Sequence, residues 1–218
     1  VASTLMIGSE AAAKTAQQLS SELKAISPPG KKVRMVWGHA TSYSGNWSIF
    51  GIDSDDGVIR EITPASLFTG NRNAFAAFLT RDGQRVVFKE DGSGRIYVVD
   101  WNGQNLKQVG SGCLAGTWQD PQNKRKQYAM IGQMSGTWLV NVDSTADRTK
   151  VWSGDLCDDK QWGTGGAGIS TDGLRIGGFI CGANAGIAPT PNGTPVCRNA
   201  GGCNFSMRPT PPGIYEWS

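Results

Sequence analysis

RDGQRVVFKEDGSGRIYVVDWNGQNLKQV, residues Arg81–Val109, is the stretch that decides the fold of this chain. Its apolar runs predict three strands, over Arg85–Phe88, over Ile96–Asp100 and from Leu106 to Val109. Glycine-containing turns flank them, at Asp82-Gly83, Asp91–Gly94 and Asn102-Gly103. Asp-Gly and Asn-Gly pairs supply the positive φ angles that tight hairpins need, so the stretch predicts an antiparallel meander.

The second strand of this meander recurs along the chain. Ile49–Asp53, Leu139–Asp143 and Ile214–Ser218 align with Ile96–Asp100, and the last residues of these segments lie 47, 43 and 75 residues apart. The two shorter intervals indicate a repeat of about 45 residues. The longest interval is one period plus about 30 residues, which we assign to a glycine-, proline- and cysteine-rich insertion at 181–212.

A period of this length with four strands per unit is typical of the blades of a β-propeller. One twisted sheet cannot bury both of its faces, whereas neighbouring blades cover each other. We therefore predict an all-β propeller over residues 33–218 with four visible blades. Their approximate bounds are 33–73, 74–112, 113–160 and 161–218, the last containing the insertion 181–212.

Residues 1–32 form a separate N-terminal segment in this prediction. Thr4–Ile7 is a short apolar run typical of a strand, and Ser9 is a suitable cap for a helix over residues 10–26. Apolar residues at three- and four-residue spacing predict one buried helix face, made by Ala12, Ala16, Leu19, Leu23 and Ile26.

The repeat resembles a known family. Phe78–Phe88, followed by Ile96–Asp100 and Asn102-Gly103, is similar to the TolB-type (WD40-like) propeller repeat, and Ile169–Ile176 matches its first half. The resemblance implies a propeller of a kind common among exported bacterial proteins that bind other proteins, and also among domains attached to hydrolases. The last aligned segment stops at Ser218, before an outer strand. Either the run Thr4–Ile7 completes the last sheet or the chain is part of a longer propeller, and we favour the second interpretation.

Composition excludes several classes of function. The net charge is +3 and the basic residues are scattered, which argues against a nucleic-acid partner. No apolar run approaches the ~18–20 residues of a membrane span. The hydrophobic content of 39% is that of a folded protein rather than a disordered one.

The five cysteines predict disulfides rather than a metal site, since the chain has no C-x-x-C pair and only one histidine. Disulfides favour an exported protein, periplasmic, cell-surface or extracellular. The sequence leaves all three pairings open, and Cys113 is expected to be the unpaired residue, in the core of a repeat. The four cysteines expected to form disulfides are Cys157, Cys181, Cys197 and Cys203.

No catalytic residues are assigned. The single histidine, His39, falls in a predicted loop, and no G-x-S-x-G nucleophile elbow is present. The acidic residues Asp155, Asp158 and Asp159 are a weak candidate for a structural Ca²⁺ site, but they lack EF-hand spacing and fit a solvated loop better. No other cofactor is expected.

The sequence therefore predicts a non-catalytic exported scaffold that binds a protein or a surface polysaccharide through its loops. The candidate binding residues are aromatic side chains in or beside loops: Tyr43, Trp47, Trp162 and Phe205. One alternative is a carbohydrate-active or hydrolase-associated propeller domain. Another is a subunit of a larger extracellular assembly, docked through the helix at 10–26.

Overall fold

The computed structural model of the chain describes residues 15–40, 47–63, 73–154, 167–181 and 184–197. Within them lie one helix, α1, at Ala16–Ile26, and four antiparallel sheets built from consecutive strands. This confirms the prediction of an all-β fold with a short N-terminal helix.

The first sheet has three strands and each of the others has four. The strands of the first two sheets are β1 Arg34–Ala40, β2 Trp47–Asp53, β3 Arg60–Thr63, β4 Ala74–Leu79, β5 Arg85–Glu90, β6 Arg95–Asp100 and β7 Lys107–Ser111. Those of the last two are β8 Cys113–Gln119, β9 Gln127–Gln133, β10 Gly136–Asn141, β11 Arg148–Trp152, β12 Gly168–Ile169, β13 Arg175–Cys181, β14 Asn184–Pro189 and β15 Val196–Cys197.

The predicted meander is the second sheet, and its first turn is a repeated local structure. Asp82 Oδ1 accepts hydrogen bonds from the Thr80 hydroxyl at 2.6 Å and from the Gln84 amide at 3.0 Å. Gly83 follows with a φ of +70°, a value that favours glycine. The turn between β12 and β13 repeats this arrangement with Ser170, Asp172 and Gly173.

The four sheets pack face to face in chain order, and each interface is an apolar cluster. Ile49, Ile62, Val86, Phe88 and Trp101 are buried between the first and second sheets. Val87, Ile96, Leu114, Ile131 and Val140 are buried between the second and third sheets. Tyr128, Leu139, Val151, Ile169 and Ile176 are buried between the third and fourth sheets.

Helix α1 covers the face of the first sheet that points away from the second sheet. Leu19 and Leu23 are buried there against Ile52 of β2. The predicted helix start is wrong, because Thr15 is the N-cap and forms a capping box with Gln18. The predicted apolar face is also wrong at its end, since Ile26 is 73% exposed.

Two further sequence predictions differ from the structure. Residues 184–197 belong to the fourth sheet rather than to an insertion, because β14 pairs with β13 and β15 pairs with β14. His39 is part of β1, opposite Ser48, rather than in a loop. The predicted strands at Thr4–Ile7 and Ile214–Trp217 lie outside the described residues, and the boundary at residue 32 stays a prediction.

Two disulfides involve described cysteines. Cys181 of β13 is bonded to Cys197 of β15. Cys113 is also disulfide-bonded, so the expectation that it is unpaired is wrong. The sequence around Cys113 is that of a buried strand, and local sequence carries no information about a distant partner. Cys157 and Cys203 lie outside the described residues.

Within the described residues, no helix has both the length and the apolar character needed to cross a lipid bilayer.

Candidate functional site

Most of the residues predicted to bind lie outside the described part of the chain. Tyr43, Trp162 and Phe205 are among these, as are the candidate calcium ligands Asp155, Asp158 and Asp159. Trp47 is described: it begins β2, its side chain is 44% exposed, and its backbone N–H donates to Asn73 Oδ1 at 2.8 Å. In the described residues no group of three histidines, cysteines or carboxylates could hold a metal ion.

A cavity of about 300 Å³ opens between the third and fourth sheets. It lies at the end of these sheets where β8 turns into β9, β12 into β13 and β14 into β15. Leu139 of β10 and Val151 of β11 line it with apolar side chains that belong to the core between the two sheets. This inter-sheet pocket is therefore built mainly on strands, which hold side chains more rigidly than loops do.

Two aromatic side chains form one wall of the inter-sheet pocket. The rings of Trp118 and Tyr128 lie 5.6 Å apart at an angle of 49°. The Trp118 indole N–H donates to the Ser170 carbonyl at 3.1 Å, which fixes the ring against the fourth sheet. Gly173 allows this approach, because a Cβ there would lie 2.8 Å from the Trp118 ring.

Two carboxylates line the inter-sheet pocket as well. Asp120 Oδ1 accepts the Gln122 amide N–H at 2.8 Å, and Asp120 makes no ion pair with any described residue. Asp172 Oδ1 is held in the repeated turn by Ser170 and Leu174. Both aspartates accept the amide N–H of the residue two positions further on, and Asp172 also accepts a hydroxyl, that of Ser170.

Lys150, the only lysine among the described lining residues, does not direct its charge into the pocket. Its ammonium lies 5.4 Å from the centre of the Trp138 ring, and Trp138 packs in the cluster between the second and third sheets. Neighbouring β-strand residues point to opposite faces. Thr149 and Val151 therefore face the fourth sheet while Lys150 faces away from it.

A polar network borders the pocket beside Tyr128. Lys126 Nζ lies 2.9 Å from Asp147 Oδ2, and that oxygen also accepts from the Tyr128 hydroxyl at 3.4 Å and from Asn141 at 2.9 Å. The hydrogen bond from Lys126 holds the pKa of Asp147 below its ordinary value. Burial, together with Asp147, raises the pKa of Tyr128, so its hydroxyl remains a donor at neutral pH.

A second groove, of about 380 Å³, lies where α1 leads into β1. Lysines 24, 31 and 32 line it together with Ser54 and Asp55. Lys32 is already paired with Asp53 at 3.2 Å and with Asp55 at 3.0 Å. This groove has no aromatic wall, and we take the inter-sheet pocket as the candidate site.

No pattern in the sequence predicts the inter-sheet pocket. Trp118 stands in a predicted inner strand and Tyr128 at the start of the next, and both fit the pattern of core residues. Asp120 begins a polar turn, where aspartate is ordinary. Only the packing of the fourth sheet on the third brings these three side chains to one cavity with Gly173 and Thr190.

No protein-family model matches this chain, and no curated protein matches it. Among solved structures, the chain is similar to TolB from Acinetobacter baumannii, with a TM-score of 0.50 and 16% identity over 75% of this chain and 40% of TolB. A prolyl endopeptidase gives a TM-score of 0.49 at 12% identity over 88% of this chain and 33% of that enzyme. The β-propeller domain of Cps50 (Swd1) from Myceliophteria thermophila gives a TM-score of 0.48 at 11% identity. The match covers 82% of this chain and 60% of that domain.

The likeness to TolB concerns the fold. Together with the four stacked antiparallel sheets, it confirms the predicted β-propeller and the resemblance to the TolB-type repeat. The chain spans less than half of the TolB structure that it matches.

Proposed function

We propose that the chain is a non-catalytic, exported propeller scaffold that binds a protein or a glycan in the inter-sheet pocket. The observation that carries this proposal is the pocket itself, in which an aromatic pair, an apolar base and a carboxylate meet on strands of two blades. Concave sites with apolar walls and a few polar groups are typical of ligand binding.

Two disulfides that involve described cysteines support export. Cys181 is bonded to Cys197, and Cys113 is bonded as well. Disulfides form and persist in oxidising compartments and are rare in reducing ones. The periplasm, the cell surface and the extracellular space all meet this condition.

The lining of the pocket supports binding rather than covalent chemistry. Its described residues include hydroxyls, carboxylates and aromatic rings, but no cysteine and no histidine. His39 lies in β1 of the first sheet, where its ring packs edge-on against Phe50 with the centres 5.8 Å apart. A nucleophile activated by a histidine would need both groups within hydrogen-bond reach.

One observation favours a carbohydrate-active enzyme as the second candidate: Asp120 and Asp172 line the same pocket. Glycosidases use such a pair across the bond that they cleave. Against this, the hydrogen bonds of Asp172 repeat those of Asp82 in the second sheet, so a structural role already explains this aspartate. Turnover of oligosaccharides that is lost in both Asp120→Asn and Asp172→Asn would establish the enzyme.

The third candidate, an assembly subunit docked through its helix, has less support. The apolar side chains Leu19 and Leu23 of α1 are buried against Ile52 of the chain's own first sheet. The face that would dock a partner is therefore already used.

A pocket-blocking variant tests the proposed function. Thr149 is exposed and lines the pocket, so Thr149→Trp should fill the cavity without disturbing the core. The matched control is Ser135→Trp, at an exposed turn on the opposite end of the third sheet. The unmodified protein and both variants are screened against an oligosaccharide array and a displayed random-peptide library.

We expect ligands from at least one collection to bind the unmodified protein and Ser135→Trp equally. Thr149→Trp should bind them at least about tenfold more weakly, since a lost pocket contact of 1.4 kcal/mol already gives that factor. Equal binding by Thr149→Trp, or no ligand from either collection, would remove the pocket as the binding site.

A further inference from the structure

We infer that the inter-sheet pocket binds the basic side chain, arginine or lysine, of a protein partner. This inference rests on the proposed function and names the ligand class of the same site. Each part of such a side chain has a matching feature in the pocket. The apolar base would contact the alkyl stem, and the carboxylate beside the aromatic rings would contact the charged head.

The base of the pocket suits an alkyl stem. Leu139 and Val151 lie in the buried cluster, and Pro191 of the turn after β14 also lines the cavity. Lysine and arginine cover apolar surface with their methylene groups while their charged ends remain near polar atoms.

The wall and rim of the pocket suit a cationic head. Trp118 and Tyr128 present aromatic rings, which attract a cation placed over or beside them. Asp120 adds a carboxylate that has no ion-pair partner among the described residues. The Trp118 ring is held by its hydrogen bond to Ser170, so little side-chain freedom is lost on binding.

The chain's own described cations near the pocket do not occupy the space beside Trp118, Tyr128 and Asp120. The ammonium of Lys150 lies against Trp138 on the other face of the third sheet, and that of Lys126 is paired with Asp147. Lys124 and Arg125 are exposed on the turn between β8 and β9 and do not line the cavity. Among the described lining residues, Asp120 is a carboxylate without an ion-pair partner in the described part of the chain, so it is electrostatically complementary to a basic group.

A peptide titration tests the inference. The probe is acetyl-Gly-Gly-Arg-Gly-Gly-amide, and its matched control carries citrulline, which has nearly the same shape without the charge. Binding is followed by the ¹⁵N–¹H resonance of the Trp118 indole, assigned by its loss in Trp118→Phe. A panel of neutral oligosaccharides is titrated in parallel.

We expect the arginine peptide to shift the Trp118 resonance and to bind about tenfold more tightly than the citrulline peptide, as a cation beside aromatic rings and one carboxylate should. Asp120→Asn should lower the affinity for the arginine peptide to that of the citrulline peptide. Asp91→Asn makes the same change of net charge at an exposed turn of the second sheet and should leave the affinity unchanged.

Each other outcome is decisive. Equal affinity for the two peptides, or an Asp120→Asn variant that binds like the unmodified protein, overturns the inference. A Trp118 shift with an oligosaccharide and none with either peptide also overturns it, yet leaves the proposed binding function in place. No shift with any probe overturns the inference, and if Thr149→Trp also loses no ligand in the screens above, the proposed function fails with it.

Discussion

Arg85 and Asp143 lie 58 residues apart in the sequence, and their side chains form a two-pronged ion pair between the second and third sheets. Arg85 is the first residue of β5 and Asp143 follows β10. In the first sheet Arg34 begins β1 and likewise donates to the next sheet, to the Gly83 carbonyl. At these two interfaces, the edge where the turns lie is thus fastened by a guanidinium, while apolar side chains fill the interior.

The Arg85–Asp143 pair should contribute measurably to stability. A double-mutant cycle of Arg85→Gln and Asp143→Asn should give a coupling of about 0.5–1 kcal/mol, since Asp143 is largely exposed but the geometry is bidentate. The free energy of unfolding in urea measures it. A coupling indistinguishable from zero would mean that the ion pair is not maintained in solution.

Gly51 should be intolerant of any side chain. A Cβ at this position would lie 2.6 Å from the Trp101 ring and 2.7 Å from Ile62 Cδ1, within the core between the first two sheets. Gly51→Ala should therefore destabilise the protein by about 1–3 kcal/mol, as overpacking does. The control is Gly38→Ala in β1, where the nearest atom lies at 3.3 Å. Similar urea midpoints for the two variants would contradict the packing described here.

Gln127 links two sheets through its buried amide. Its Oε1 accepts the Arg81 backbone N–H at 3.0 Å, and its Nε2 donates to the Lys124 carbonyl at 3.1 Å. Gln127→Leu should lower the free energy of unfolding by about 1–3 kcal/mol, because it leaves the Arg81 N–H and the Lys124 carbonyl without this partner. Gln122→Leu, at an exposed turn position, should change stability by less than about 0.5 kcal/mol. Thermal unfolding compares the two.

Asp56 should titrate abnormally low. The hydrogen bond from Arg60, helped by that from the Val58 amide, lowers its pKa from 3.8 to about 2. A depressed folded-state pKa stabilises the fold above the unfolded value, so this contribution is complete above about pH 4 and is lost as the pH falls towards 2. The stabilisation is small, because the Asp56 side chain is 43% exposed.

Carboxyl ¹³C NMR checks this directly. The Asp56 midpoint should lie near 2 in the unmodified protein and move back towards 3.8 in Arg60→Gln. A midpoint for Asp56 that Arg60→Gln does not move would show that Arg60 is not the cause.

The disulfide between Cys181 and Cys197 should stabilise the fourth sheet. It joins residues 16 apart in the sequence, and closing a loop of that size restricts the unfolded chain by about 3 kcal/mol in the chain-entropy account. The Cys181→Ala/Cys197→Ala double variant should lose about 3 kcal/mol of unfolding free energy, while the disulfide at Cys113 remains intact. An unchanged melting temperature under non-reducing conditions would argue that the bond does not form.

The sequence by itself determined the strands, the turns and the repeat. Apolar strand patterns and Asp-Gly or Asn-Gly turns are local signals, and the copies of about 45 residues carry them independently, although the third copy lacks such a turn pair. Because these signals are local, they also led to the wrong helix start and to the assignment of β14 to an insertion. The helix start depended on which of two nearby residues, Ser9 or Thr15, serves as the cap, and β14 has too many small residues for a clear strand pattern.

Tertiary structure alone decided the inter-sheet pocket and the bonds that join the sheets. Trp118 contacts Ser170 across 52 residues of sequence, and Arg85 contacts Asp143 across 58. No local pattern marks such partners, because their meeting depends on how one blade is rotated and seated on the next. The same holds for Cys113, whose strand is typical of a core and carries no local sign of the disulfide that it forms.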